Sequence, residues 1–331
     1  MSVKVAVNGT GRIGLCVIKI VMERDDMELV ALNTTADPKM LECLLKYDTI
    51  HKGLDAKVID NETIEIAGKP VKMFSERDIE KLNFGTTGAE VVAECTGVFL
   101  TTQKAKHYLK GSVKKVVMSA PAKDDTPTFV LGANEDKYTG EAIVSNASCT
   151  TNGLAPVAKV LDDAFGIEKG LMTTIHSYTG SQPILDAKHK KDPRKSRAGA
   201  TNLVPTTTGA AKAIGKVMPH LNGKLNGQAI RVPTPNVSMI DLTVTLNKNI
   251  SLKEVQDAFI EASKGKLKGI LGVDTEKRVS SDFNGEELST VVPLDTIQVI
   301  GDNMVKVLSW YDNEWGYSNR IVEMAEYILS F

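Results

Sequence analysis

Cys149 is the residue whose neighbours best equip it for covalent chemistry. It sits in SNASCTTN (145–152), a run of small and hydroxylic residues, and the apolar stretch Leu154 to Leu161 follows. The pattern predicts a loop that delivers a thiol to the start of a helix over about 153–165. A helix N-terminus carries unsatisfied N–H groups and partial positive charge, so it favours a thiolate and can hold an anion beside it. A thiolate attacks carbonyl carbon, and the N–H donors can take the charge that develops on oxygen. His176 ends a predicted strand that begins at Gly170, and an imidazole near a cysteine can stabilise thiolate and shuttle a proton. A lone histidine at a strand end otherwise reads as a hydrogen-bonded structural residue, and His51, His107, His189 and His220 are given no role.

A second chemistry lies at the N-terminus. Gly9-Thr-Gly11-Arg-Ile-Gly14 follows an apolar strand, Val3 to Asn8, and opens a helical pattern, Ile13 to Arg24. The first glycine allows a tight turn, the second lets backbone approach a pyrophosphate, and the third permits close helix packing. The next strand, Glu28 to Asn33, ends in Asn33-Thr34-Thr35. The carboxylate that bonds the ribose hydroxyls of NAD in such folds is missing, although Asp37 is close. Its absence removes repulsion against a 2′-phosphate, and the threonine hydroxyls can donate to one. The alternative, in which Asn33 and backbone hold NAD, stays open.

Elements that must position these groups alternate through the first half. Lys39 to Lys46 is helical, Ile64 to Phe74 holds short strands, and Val91 to Cys95, Val116 to Ser119 and Phe129 to Leu131 have the β-branched texture of buried parallel strands. The expectation is an α/β Rossmann-type dinucleotide-binding domain. Past Cys149 the texture changes. A long irregular polar stretch runs from Ser177 to about Thr208, followed by a strand at Thr243 to Leu246, a helix at Leu252 to Ser263, a strand at Val305 to Tyr311 and a helix at Asn319 to Leu329. These elements predict an α+β catalytic domain with a mainly antiparallel sheet. A chain of 331 residues suits two domains. The formal net charge of -1 gives no reason to expect a nucleic-acid or membrane-surface partner. No apolar run is long enough to span a bilayer, and VKVAVNGTG is too short for a signal peptide. Cysteines 16, 43, 95 and 149 lack metal-ligand or disulfide spacing, so no metal is expected and free thiols in a reducing cytoplasm are the simplest reading. Cys16, Cys43 and Cys95 are expected to be inert core thiols.

NGTGRIG, LLKYDTIH, ECTGVF, SAPAKD, SNASCTTN, TTIHSYT, TTTGAAKA, RVPTPNVS and WYDNEWGYSNR occur in that order and span nearly the whole chain. Together they resemble phosphorylating glyceraldehyde-3-phosphate dehydrogenase. The resemblance implies that Cys149 is the nucleophile and His176 its base. It implies that Thr179 and Arg231 hold the phosphate of the aldehyde substrate, and that Ser148, Thr150, Thr208 and Gly209 surround the attacking inorganic phosphate. It places Gly9, Gly11, Arg12 and Ile13 at the pyrophosphate of NAD or NADP, Asn33 and Thr34 at the ribose, Arg77 near the adenine, Ser119 beside the cofactor and Asn313 at the nicotinamide carboxamide. The implied reaction forms 1,3-bisphosphoglycerate reversibly, in glycolysis or gluconeogenesis, in a cytoplasmic homotetramer. The terminal helix is expected to return to the first domain, giving 1–148 plus 313–331 for the dinucleotide and 149–312 for catalysis.

The stretch Lys188 to Arg197 holds six lysines and arginines. It reads as a solvated loop or as the family's loop that crosses to a neighbour's cofactor, with Arg194 a phosphate candidate. Two departures from the family pattern stand out. Gly153 occupies a position where many relatives carry a second cysteine, so oxidation of Cys149 should favour sulfenic acid or a mixed disulfide. Ala187-Lys188 replaces a frequent Leu-Pro, which, with Thr34, suggests acceptance of NADP. Rival readings are erythrose-4-phosphate dehydrogenase, disfavoured by TTTGAAKA, a cysteine hydrolase, disfavoured by the glycine fingerprint, and a binding protein, disfavoured by the intact nucleophile and base.

Overall fold

Apolar runs near the start of the chain form the middle of a parallel sheet. In the computed structural model, which describes residues 2–189 and 192–331, the chain divides into two units. The first comprises Met1–Phe129, Glu135–Ser148 and Ser318–Phe331. Its strands are β1 (Val3–Asn8), β2 (Met27–Asn33), β3 (Ala56–Asp60), β4 (Thr63–Ile66), β5 (Lys69–Phe74), β6 (Val91–Glu94), β7 (Lys115–Met118) and β8 (Ile143–Ser145). They lie in the order β3-β4-β5-β2-β1-β6-β7-β8. From β5 to β8 every neighbouring pair is parallel, whereas β3 and β4 add an antiparallel edge. Val5, Ala6 and Val7 are essentially sealed from solvent, as a strand covered on both faces requires. Helix α1 (Arg12–Glu23) is buried along most of its length, and even its Lys19 is interior, paired with Asp48 at 2.8 Å. Helix α2 (Pro38–Lys46) starts on Asp37, whose carboxylate accepts from Lys39 N–H, and the short α3 (Thr102–Ala105) starts on Thr101.

Two sequence expectations need correction here. Phe129 to Leu131 is not a strand. Only Thr128 bridges to Ser145, and Val130 to Asn134 form a buried turn in which Asn134 Oδ1 accepts from Val130 N–H at 2.9 Å. The last sheet position belongs instead to Ile143–Ser145. Cys43 is not a core thiol either, since it is exposed on α2.

The second unit comprises Val130–Asn134 and Cys149–Tyr317. Its elements are α4 (Cys149–Phe165), β9 (Ile167–Ser177), β10 (Val204–Thr207), α5 (Ala210–Val217), β11 (Leu225–Val232), β12 (Ser238–Leu246), α6 (Leu252–Lys264), β13 (Leu271–Asp274), β14 (Thr290–Pro293), β15 (Gln298–Ile300) and β16 (Met304–Tyr311). The sheet order is β10-β11-β9-β12-β16-β14-β13, with β15 paired to β16. All pairings are antiparallel except β9 with β11 and β13 with β14. Helix α4 packs on β9, β12, β14 and β16. It starts at Cys149, a turn before the expected Gly153. A Cβ at Gly153 would lie 3.1 Å from Ile240 Cδ1 and 3.2 Å from Tyr311 Cγ, so the missing side chain lets the helix sit close on the sheet.

The polar stretch after Ser177 is more ordered than expected. It closes on itself through Ala187 N–H to Ser196 O (2.8 Å), Ala198 N–H to Asp186 Oδ1 (2.9 Å) and Gly199 N–H to Pro183 O (3.0 Å). It then ends in β10. Two of its basic residues, Lys190 and Lys191, lie outside the described residues. The boundary between units falls inside the last helix, α7 (Trp315–Ser330), after Tyr317. Asn313 therefore belongs to the second unit, not to the first as expected from the sequence.

Candidate active site

Cys149 opens α4 and is half-buried, with its Sγ 3.6 Å from His176 Nε2. The C-terminal end of β9 carries His176, and Arg231 stands beside it in register on the parallel strand β11. Arg231 Nη1 lies 2.7 Å from His176 Nδ1 and donates to Ser177 O at 2.8 Å. The same imidazole nitrogen is 2.7 Å from Ser177 O. Tyr311, from β16, stands edge-on to the imidazole with ring centroids 5.9 Å apart. Its hydroxyl joins Thr150 Oγ1 (3.0 Å) on α4 and Thr174 Oγ1 (2.7 Å) on β9.

Burial sets the ionisation of the pair. It pushes the Cys149 thiol up, against the opposing pull of the Arg231 charge. It also drives the imidazole of His176 down to about 3, helped by Arg231 and opposed by the Ser177 carbonyl. Burial thus disfavours charge on both groups, while the Arg231 guanidinium favours a negative sulfur and disfavours a positive ring.

The phosphate candidates sit in three settings. Thr208 and Gly209 form the start of α5, where Thr208 Oγ1 accepts from Ala210 N–H at 3.2 Å. Thr179 follows β9 and its hydroxyl pairs with Ser181 Oγ at 2.9 Å. Thr150 is buried with its hydroxyl on Tyr311, and Ser148 precedes the nucleophile. Arg194 is exposed in the short turn Pro193–Ser196, where Asp192 accepts from its N–H. Asn313 is buried and accepts from Ser238 Oγ at 2.7 Å, and Ser238 Oγ in turn accepts from Ser177 N–H. Ser238 follows Val237, which has a φ of 65°. A β-branched residue in that region is strained and is held there by its surroundings.

In the first unit the strand order reverses between β1 and β6, and the C-terminal ends of that pair form the switch point where doubly wound sheets bind ligands. A cleft of about 650 Å³ opens there, lined among others by Gly9, Gly11, Asn33, Thr35, Arg77 and Cys95. Gly9 has a φ of 97°, and a Cβ on Gly14 would fall 1.9 Å from Gly9 O. A Cβ on Gly11 would meet no protein atom within 4 Å, so its open side faces ligand space. Helix α1 begins at Gly11 with no side-chain cap and no acidic residue in its first turn. The N–H groups of a helix start of that kind suit a pyrophosphate.

Several cofactor candidates stand differently from expectation. Thr34 is buried, joined to Thr10 Oγ1 at 2.6 Å, and its neighbour Thr35 lines the cleft instead. Asn33 is held by Asn8 and by both directions of bonding to Glu76 backbone, so its amide is already engaged. Arg12 pairs with Asp48 at 3.0 Å. Ile13 is the second residue of α1, and Ser119 sits half-buried just past β7, its N–H bonded to Glu94 O; neither Arg12, Ile13 nor Ser119 lines the cleft. Sequence reasoning missed Glu94. This fully buried carboxylate accepts from Asn8 Nδ2 (2.8 Å), Tyr108 OH (2.5 Å) and Thr96 N–H (2.8 Å), and so ties the ends of β1 and β6 beneath the cleft. The ECTG run was the available signal. Cys95, next in sequence, lines the cleft and is not a core thiol.

A switch-point cleft and a thiol–imidazole pair define an NAD-dependent oxidoreductase that acts on an aldehyde group. Comparison with known sequences makes the assignment specific. Residues 3–102 match the family described as glyceraldehyde 3-phosphate dehydrogenase, NAD binding domain, and residues 148–313 match its C-terminal domain. The chain is 50% identical over 331 residues to glyceraldehyde-3-phosphate dehydrogenase of Priestia megaterium, covering 99% of this chain and 98% of that protein. It is 52% identical over 330 residues to glyceraldehyde-3-phosphate dehydrogenase 1 of Bacillus cereus, covering 99% and 98%. Against glyceraldehyde-3-phosphate dehydrogenase A of Escherichia coli the identity is 47% over 329 residues, with 99% of each chain covered. The chain belongs to the glyceraldehyde-3-phosphate dehydrogenase family. The alternative, erythrose-4-phosphate dehydrogenase, gains no support from these relatives.

Proposed function

We propose that the protein oxidises and phosphorylates glyceraldehyde 3-phosphate to 1,3-bisphosphoglycerate through a thioester on Cys149. The observation that carries this reading is the 3.6 Å approach of Cys149 Sγ to His176 Nε2 at the start of α4. The sulfur attacks the aldehyde carbon and gives a hemithioacetal. His176 Nε2 takes the hydroxyl proton as the carbon is oxidised, leaving the thioester. Bound NAD supplies the hydride acceptor. The N–H groups at the start of α4 face the developing oxyanion. Inorganic phosphate then attacks the thioester carbon, the thiolate leaves, and His176 returns its proton. Arg231 and Thr179 hold the substrate phosphate. Ser148, Thr150, Thr208 and Gly209 receive the attacking phosphate, with Arg194 an outer contributor.

The cofactor reading is NAD with acceptance of NADP. No carboxylate ends β2, and Thr35 and Arg77 line the same cleft, where a hydroxyl and a guanidinium suit a 2′-phosphate. Glu76 also lines it, but one of its carboxylate oxygens already accepts from Asp78 N–H at 2.8 Å. Arg12, Ile13, Ser119 and Asn313 are assigned to the cofactor by the family resemblance alone, since none of them lines the cleft. The homotetramer and the crossing loop with Ala187-Lys188 rest on the family and on the apolar residues the second unit leaves exposed, Ile184, Leu185 and Leu203 among them. Among the described residues no helix is long and apolar enough to cross a membrane. Cysteines that form no disulfide among the described residues suit a cytoplasmic setting. Steady-state rates with NAD and with NADP, each with and without inorganic phosphate, test the reading. Turnover that needs phosphate and accepts both nucleotides supports it. Phosphate-independent release of free acid overturns the phosphorylating step, and a strong preference for NAD overturns the NADP part.

A further inference from the structure

Three neighbouring parallel strands of the first unit end in buried polar side chains. Asn8 closes β1, in register with Asn33 at the end of β2 on one side and with Glu94 at the end of β6 on the other. The three form one row of hydrogen bonds. Thr96 donates to Glu94 Oε1 through its N–H (2.8 Å) and its hydroxyl. Asn8 Nδ2 donates to Glu94 Oε2 at 2.8 Å, and Asn33 Nδ2 donates to Asn8 Oδ1 at 2.7 Å. Asn33 then closes on the backbone of Glu76, donating to its O at 2.8 Å and accepting from its N–H at 2.9 Å. Both ends of the row, Thr96 and Glu76 with Arg77, line the dinucleotide cleft, across the strand run β5-β2-β1-β6.

The row has a polarity. An ionised carboxylate only accepts, and Thr96 N–H only donates. The Glu76 backbone offers one donor and one acceptor in fixed places. Between these ends, the two amides satisfy every partner only when both turn their nitrogen toward Glu94. Tyr108 OH, which also donates to Glu94, can donate or accept and so does not set the direction. Burial pushes the carboxyl's pKa up, and the bonds from Thr96, Tyr108 and Asn8 pull against that rise. We propose that Glu94 is a positioning residue for the cofactor: by fixing the polarity of the Asn8–Asn33 row, it sets the Glu76–Arg77 wall of the cleft for NAD. Glu94→Gln breaks the row whichever way the new amide turns. With its oxygen on Thr96 N–H, its nitrogen meets Asn8 Nδ2. Asn8 must then turn over and set its nitrogen against that of Asn33. With its nitrogen on Thr96 N–H, two donors meet there instead. Asn33 cannot turn over to relieve the first conflict, because Glu76 N–H and O would each face their like. The wall at Glu76 has to shift, and NAD must restore it on binding.

Calorimetric titration of the whole protein with NAD, alongside steady-state kinetics, tests this. Glu94→Gln should weaken NAD binding on the order of tenfold, within what a mispaired buried polar group costs, while kcat at saturating NAD holds. Tyr108→Phe removes a bond to Glu94 without touching the polarity, so it should lower the unfolding temperature and leave NAD affinity in place. Asn33→Asp alone sets two acceptors face to face at Asn8 and should weaken NAD. Combining Glu94→Gln with Asn33→Asp moves the carboxylate to the other end and runs the row in reverse, ending on Glu76 N–H. That double variant should bind NAD more tightly than either single one. Two unrelated structural losses would add instead. A double variant no better than its parents overturns the proposal, as does a Glu94→Gln protein that binds NAD normally. Should Glu94→Gln fail to fold, the double variant decides alone. Folded, with NAD affinity above that of Asn33→Asp, it supports the row; unfolded or weaker, it overturns it.

Discussion

At the scale of residues, the site pairs a thiol with an imidazole, and burial works against charge on both. Burial holds the imidazole of His176 at about 3, well below its ordinary 6.5. Between those values the unfolded chain binds a proton at this residue and the folded chain does not. The sign follows: the folded state has its full advantage above pH 6.5 and loses it as pH falls toward 3. The loss runs at about 1.4 kcal/mol per pH unit, or about 2 kcal/mol between pH 6.5 and pH 5. The His176→Asn variant should therefore show a shallower fall in urea-unfolding free energy over that range, and should oxidise the aldehyde about 10²- to 10⁴-fold more slowly. Equal acid sensitivity in the two proteins would remove the case for a buried neutral ring. The expected setting of Cys149 was legible in its neighbours, whereas His176, a lone histidine at a strand end, took its expected role from the family resemblance. The position of Arg231 beside the histidine was not legible. It depends on the parallel register of β9 and β11, and residues 55 apart in sequence carry no local trace of being neighbours.

At the scale of elements, Tyr311 is the pin. Its hydroxyl joins α4 to β9 from β16, so the helix that carries the nucleophile and the strand that carries the base are tied through one oxygen. Removing it in Tyr311→Phe leaves two buried threonine hydroxyls to find new partners, at a cost of about 1–3 kcal/mol. The lost tie should lower kcat while the NAD KM holds, because the dinucleotide cleft is built by other elements. Calorimetric unfolding and steady-state kinetics check both halves, and an unchanged kcat would count against the tie. The strands of the dinucleotide sheet were readable because parallel strands covered on both faces are continuously apolar. The run Phe129 to Leu131 imitates that texture but serves as a buried turn. Strands β10 and β11 escaped notice for the opposite reason. Leu225–Val232 mixes glycine, asparagine and glutamine with its apolar residues, and only its pairing with β9 makes it a strand.

At the scale of the whole molecule, the second unit leaves apolar side chains in water. Leu171 is 68% exposed and shares a shallow depression on its sheet with Val244 and Met304. Exposed apolar clusters of this kind mark association surfaces. If chains associate through this face, a Leu171→Asp variant should sediment as a smaller species at micromolar concentration, and unchanged sedimentation would exclude the face. The exposure of Leu171 left little trace in the sequence, since a leucine on a strand reads as core until the sheet shows which face is covered. The central claim concerns one bond, and intact-protein mass spectrometry reads it directly. Enzyme mixed with NAD and glyceraldehyde 3-phosphate without inorganic phosphate should gain one 3-phosphoglyceroyl group per reacting chain. That group should map to Cys149, match the NADH burst in amount and vanish when phosphate is added. A full NADH burst with no acyl group on Cys149 would contradict the account.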